Sequence, residues 1–150
     1  MKKKYMSRVP YENLVGNLMY PMVSTRPDIS HAVGVVSRFM ENLVEEHWRE
    51  GKWVLRYLRG TSDHCINFDG HEGSVYRYVD ANYVGDLDKR RSTIGYVFTL
   101  ACGLISWMSK LQKTEALSTT KAEYIATSDS YKEAIWLKHL LVEIGRRGRK

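Results

Sequence analysis

The sequence predicts an α+β chain: an N-terminal helical segment of three helices, then an antiparallel strand meander, then one long helix. Three observations carry that prediction. Apolar residues recur at helical 3–4 spacing as far as Gly60. Short runs rich in β-branched and aromatic residues follow, broken by Gly, Asp and Ser clusters. The helical period then returns from about Thr119.

The first helix covers residues 11 to 22, where Leu14, Val15, Leu18, Met19 and Met22 share a face. The second lies in "STRPDISHAVGVVSRFMEN", with Ser24 or Thr25 as N-cap and Pro27 early, where its missing N–H costs nothing. Its stripe is Ile29, Ala32, Val33, Val36 and Phe39 or Met40. The third runs from about Glu45 to Arg59 and Gly60 supplies its C-cap. Trp48, Leu55 and Leu58 mark its apolar face, while Arg49, Lys52, Arg56 and Arg59 form a basic stripe at i, i+3, i+7 and i+10.

Past Gly60 the period shortens. "CINF", "SVYRYVDA", "GYVFTL" and "LISWMS" read as four antiparallel strands, with a fifth around Thr114 to Leu117. Asp86, Asp88 and Arg90-Arg91 shape a turn between two of them. The last helix spans about Thr119 to Ile144, and Ala126, Ser130, Ala134, Leu137, Leu141 and Ile144 give it one buried face before Gly145 ends it. Ser118-Thr119-Thr120 followed by Glu123 has the pattern of an N-cap with a capping box. The expected division is residues 1–62, helical, and 63–150, the meander with its helix.

Composition narrows the function classes. The 150 residues carry a net charge of +6 and a pI near 9.3, which favours an acidic partner such as nucleic acid. Two cysteines, Cys65 and Cys102, with no CxxC, argue against zinc and against a disulfide framework. Two buried thiols are the expected state, with one Cys65–Cys102 bridge as the alternative. No apolar run reaches the ~20 residues that cross a membrane. The N-terminal stretch begins basic, but Glu12, Asn13, Asn17 and Pro21 interrupt its apolar part, so a conventional signal peptide is not evident. His31, His47, His64, His71 and His139 are scattered, as surface or capping histidines are. Lys2 to Lys4 and the closing "RRGRK" are basic ends, the latter a weak nuclear-import patch.

"NLVGNLMYPMVSTRPDISHAVGVVSRFMEN", "HWREGKWVLRYLRGTSD", "YVDANYVGDLDKRRSTIGYVF" and "ALSTTKAEYIA" together resemble the Pol polyprotein of Ty1/copia retrotransposons. The resemblance covers nearly the whole chain. It implies the end of a reverse transcriptase, a thumb or connection remnant, joined to the start of an RNase H-like domain. RNase H chemistry uses clustered carboxylates that hold two divalent ions about 4 Å apart, and oxygen ligands suit Mg²⁺. The resemblance places the first carboxylate at Asp80 in "YVDANY" and the second at Glu123 in "KAEY". It places the third and fourth after Lys150. Asp129 is a poor substitute: six residues beyond Glu123, it lies about 120° round the helix and ~9 Å along it. Asn82 stands where the family commonly has Asp, and Lys121 where it commonly has Glu. The expectation is an incomplete Mg²⁺ site, no cofactor and no catalysis, with Asp80 and Glu123 vestigial. The open sheet edge would favour pairing with another chain.

Arg56-Tyr57-Leu58-Arg59 has two readings. In a polymerase the basic stripe would face phosphates, making Arg49, Lys52, Arg56 and Arg59 the expected weak nucleic-acid contacts. As a tetrapeptide it is an RxLR motif, and the chain also resembles copia-like proteins classed as secreted RxLR effectors of downy mildews. No acidic Glu-Glu-Arg segment follows it, and Glu45-Glu46 lies upstream instead. The expected function is a non-catalytic effector, secreted and then acting in the host nucleus or cytoplasm on an unknown host protein to suppress defence or cell death. The alternative is an orphaned Pol fragment that binds nucleic acid weakly.

Overall fold

The computed structural model describes residues 9–70, 74–86 and 90–145. Lys2 to Lys4, His71, Asp88 and the basic end at 146–150 lie outside them. The architecture is α+β and divides into two compact units, Met1–Cys65 and Ile66–Lys150.

The first unit holds helices α1 (Tyr11–Ser24), α2 (Ser30–Val36) and α3 (Glu45–Gly60), with 3-10 turns at Pro27–Ile29 and Ser37–Phe39. Tyr11, Leu14, Val15 and Leu18 of α1 bury against Ile29, Val33, Val36 and Val54. The apolar part of the N-terminal stretch is thus a core helix. The Tyr11 hydroxyl donates to the Val36 carbonyl at 2.7 Å and so satisfies a buried polar group within that core. Gly51 lets α1 and α3 close up, because a Cβ there would sit 2.5 Å from Leu14 Cδ2.

Several local expectations shift. Met19 and Met40 are exposed, and Met22 only edges the core. Neither Ser24 nor Thr25 caps α2. Ser24 Oγ donates back to the Tyr20 carbonyl at 2.8 Å, and the chain enters through the Pro27 turn, whose N-cap is Arg26. The inner face of α3 is Trp48, Gly51, Val54 and Leu58, while Leu55 is exposed. Gly60 is the last helical residue and Thr61 the C-cap, its Oγ1 donating to the Tyr57 carbonyl at 2.8 Å. At the other end the Val44 N–H donates to His47 Nδ1 at 3.4 Å. Val44 has no side-chain acceptor, so this capping is one-sided. His47 also stacks on Phe39 at 3.7 Å.

The second unit is a sheet in the order β1 (Val75–Asp86), β2 (Arg91–Leu100), β3 (Gly103–Leu111), all antiparallel, followed by α4 (Thr119–Glu143). Among the described residues three strands form, not four or five. "CINF" is not a strand; the Phe68 ring lies where a Cβ on Gly103 at the start of β3 would be, and just beyond it the Gly70 N–H donates to the Ala101 carbonyl of the β2–β3 turn at 3.0 Å. Residues 114–117 are irregular. Beside them Gln112 is buried, donating its side-chain amide to the Ala122 carbonyl at 2.7 Å and its N–H to the Ser92 carbonyl at 2.8 Å.

Register fixes the faces of the sheet. Tyr96 pairs with Val79 and Met108, and Phe98 with Arg77 and Ser106. Tyr96 and Phe98 pack with Leu137 of α4, edged by Val79, Met108 and Ala134. Ala122, Ala126, Ser130, Leu137 and Leu141 are the buried positions of α4, so its inner face begins one turn earlier than predicted and Ile144 is exposed. Ser118 caps α4 by accepting from Lys121 N–H at 3.2 Å. The N3 residue is Lys121, so a reciprocal Glu is lacking and the capping box is half made. Cys65 and Cys102 are free, and both are exposed rather than buried.

Candidate functional surfaces

The tetrapeptide lies wholly within the last turns of α3. Its four residues differ in role. Leu58 packs against the core of the first unit. Arg56 and Arg59 are exposed. The Tyr57 ring is 46% exposed, yet its hydroxyl donates to Asp28 Oδ2 at 2.8 Å.

That bond belongs to a cluster that sequence reasoning missed. Arg26, only 7% exposed, forks onto Asp28, with Nε–Oδ1 at 3.0 Å and Nη2–Oδ2 at 2.7 Å. It also donates from Nη1 to the Thr61 carbonyl at 3.0 Å and from Nη2 to Thr61 Oγ1 at 2.6 Å. Its guanidinium stands 5.4 Å from the centre of the Tyr57 ring. The Arg26 hydrogen bonds, supported by that of Tyr57 and opposed by burial, hold the Asp28 carboxyl down at about 2. The cluster ties the end of α3 to the turn before α2. Arg26 and Asp28 flanking Pro27 were the only local signal for it, since Tyr57 and Thr61 lie some thirty residues downstream.

The basic stripe is continuous. Arg49, Lys52, Arg56 and Arg59 are all exposed, along roughly 15 Å of helix axis. Arg56 lies 5.0 Å from the centre of the Trp53 ring and Lys52 lies 5.7 Å from that of Trp48. Trp53 is exposed beside Arg56, and a cation next to an exposed ring can meet phosphates while the ring stacks on bases.

The acidic positions are not brought together. Asp80 pairs with Gly95 and alternates with Val79, which packs toward α4. It therefore stands on the sheet face that α4 leaves open, whereas Glu123 is an exposed residue of α4 itself. Asp129 is half-buried, its carboxylate 3.1 Å from Lys110 Nζ and 3.6 Å from Lys132 Nζ. Those lysines, Lys110 first, hold its carboxyl below the usual range. Two further bonds clasp α4 to the sheet: Ser106 Oγ donates to Glu133 at 2.6 Å, and Arg77 reaches Ser130 Oγ at 3.5 Å. Among the described residues no three His, Cys, Asp or Glu side chains converge as metal ligands. Asp80 and Glu123 thus stand on different elements, the one on the open face of the sheet and the other on α4. No helix among the described residues is long and apolar enough to cross a membrane.

The retrovirus-related Pol polyprotein of the tobacco (Nicotiana tabacum) transposon TNT 1-94 is 58% identical over 96% of this chain, which spans 11% of that protein. The corresponding polyprotein of the Arabidopsis thaliana transposon RE2 is 43% identical over 90% of the chain, 9% of its own length. Secreted RxLR effector protein 161 of Plasmopara viticola is 47% identical over 88% of this chain and 94% of its own. No protein-family model matches the chain, nor does any solved structure. The chain belongs to the family of secreted RxLR effector protein 161, and over nearly its whole length it is similar to a stretch of copia-type retrotransposon Pol polyproteins, of which it spans about a tenth.

Proposed function

We propose that this chain is a non-catalytic effector of the RxLR type, secreted and then acting in the nucleus or cytoplasm of host plant cells to suppress defence or cell death. The observation that carries the reading is the match across 94% of the length of a secreted RxLR effector. Arg56, Tyr57, Leu58 and Arg59 are its uptake-associated motif, presented on a helix with both arginines in solvent. The partner is a host protein. On this reading residues 1–62 are a reverse-transcriptase remnant and 63–150 the start of an RNase H-like domain, its carboxylates Asp80 and Glu123 vestigial. The placement of those two groups on different faces supports that part.

Transient expression in leaves together with a cell-death inducer tests it: necrosis should fall with the native chain and not with a scrambled one. Equal suppression by the scrambled control ends the effector reading. Incubation with an RNA–DNA hybrid and Mg²⁺ tests the second part. Cleavage that Asp80→Asn abolishes would establish an enzyme instead.

The exposed basic stripe favours a second reading, a Pol fragment that binds nucleic acid weakly. If Arg49, Lys52, Arg56 and Arg59 all contact phosphates, log K should fall with log salt at a slope of about −3. Replacing all four by Gln should flatten that slope. An unchanged slope assigns the binding elsewhere.

A further inference from the structure

Helix α4 has a second face. Opposite the buried positions, Tyr124, Tyr131, Ile135 and Val142 are 74%, 60%, 43% and 58% exposed. At 100° per residue, their spacings of seven, four and seven put all four within roughly 40° of arc, along about 27 Å of axis. Ser128 and Lys138 fill the intervening positions, so the row is a heptad seam. The outer face of a helix packed on a sheet is ordinarily polar. A row of four exposed apolar residues there, interrupted only by Ser128 and Lys138, marks an interaction surface.

Charge decides the occupant. Lys121, Lys132 and His139 border one side of the row and Lys138 the other, and all four are exposed. Lys132 also touches Asp129, but the main partner of that carboxylate is Lys110 on β3. Glu133 is turned inward to Ser106. The other acidic residues of α4, Glu123 and Glu143, stand at its two ends, each about 100° round from the row. A second copy would bring lysine borders together, and nucleic acid offers nothing to Ile135 and Val142. We infer that this face docks an acidic amphipathic helix of another protein, with its apolar side chains on the seam and its Asp or Glu residues along the lysine borders. The inference goes beyond the effector reading and stands or falls without it.

The test uses the full chain and a fluorescein-labelled three-heptad peptide with Leu at a and d and Glu at e and g. Titration should give saturable anisotropy that weakens with salt. Tyr131→Ser with Ile135→Ser should lower affinity by roughly tenfold or more. Lys121→Glu with Lys138→Glu should do the same while leaving the circular dichroism intact. Any of four results overturns the proposal: no binding; equal binding of a peptide with Lys in place of Glu; anionic vesicles or single-stranded DNA, but not the peptide, losing affinity in the Ser variant; or a dimer in sedimentation that the Ser variant abolishes.

Discussion

Asp28 shows how one residue couples charge, fold and the tetrapeptide. Its carboxyl is held at about 2 in the folded chain, below the ~3.9 of an unfolded one. A depressed folded value means that the stabilisation is complete above about pH 4 and is lost as pH falls toward 2. The side chain is about a third exposed (34%), so solvent screening reduces the contribution to about 1 kcal/mol. Urea midpoints measured from pH 5 to pH 2 should therefore fall less steeply in Asp28→Asn than in the native chain. Parallel slopes would mean that Arg26 does not hold the carboxylate in solution. Tyr57 gives the companion test. Tyr57→Phe removes one hydrogen bond to a charged acceptor and should cost about 1–2 kcal/mol, whereas Arg56→Ala, at an exposed position, should stay within about 0.5 kcal/mol. Chemical denaturation of the two variants would then separate what the motif does for the fold from what it does for a partner. Equal losses would remove that distinction.

At the scale of elements, the chain was legible wherever period is local and obscure wherever geometry depends on contact. Leu14, Leu18, Val33 and Val36 announce their helices because helical spacing alone buries them. Leu55 misleads, since at the flank of α3 the same spacing does not decide which side meets the core. "CINF" has strand composition but joins no strand among the described residues. Strands β2 and β3 were legible, but the tight turn between them carried no sequence signal. Its two residues are Ala101 and Cys102, both with positive φ, 50° and 63°, the conformation for which Asn-Gly is the usual sequence signal. Left-handed backbone at Ala and Cys costs roughly 1 kcal/mol each. Ala101→Asn with Cys102→Gly should thus raise stability by about 1 kcal/mol and remove an exposed thiol. A thermal melt following the strand signal reads it. No gain in the melting temperature would mean that the left-handed backbone at Ala101 and Cys102 carries no strain to relieve.

At the scale of the whole molecule, each of the two units has its own cluster of buried residues. One is built from Tyr11, Leu14, Val15, Leu18, Ile29, Val33, Val36 and Val54, the other from Tyr96, Phe98 and Leu137. The order of helices, meander and helix was readable in the sequence. The identity of what joins each set, such as Arg26 with Thr61 or Lys110 with Asp129, was not, because those partners are brought together only by folding. Separate cores imply separate unfolding, and the tryptophans report on it: Trp48 and Trp53 belong to the first unit, Trp107 and Trp136 to the second. Leu18→Ala should cost about 2–5 kcal/mol, comparable to the entire stability of a unit this small. With Trp107 and Trp136 replaced by Phe, that variant should lose its cooperative fluorescence transition in urea. With Trp48 and Trp53 replaced instead, the transition should keep its midpoint. If both transitions moved together, the two cores would be energetically one, and neither segment would fold as a body of its own.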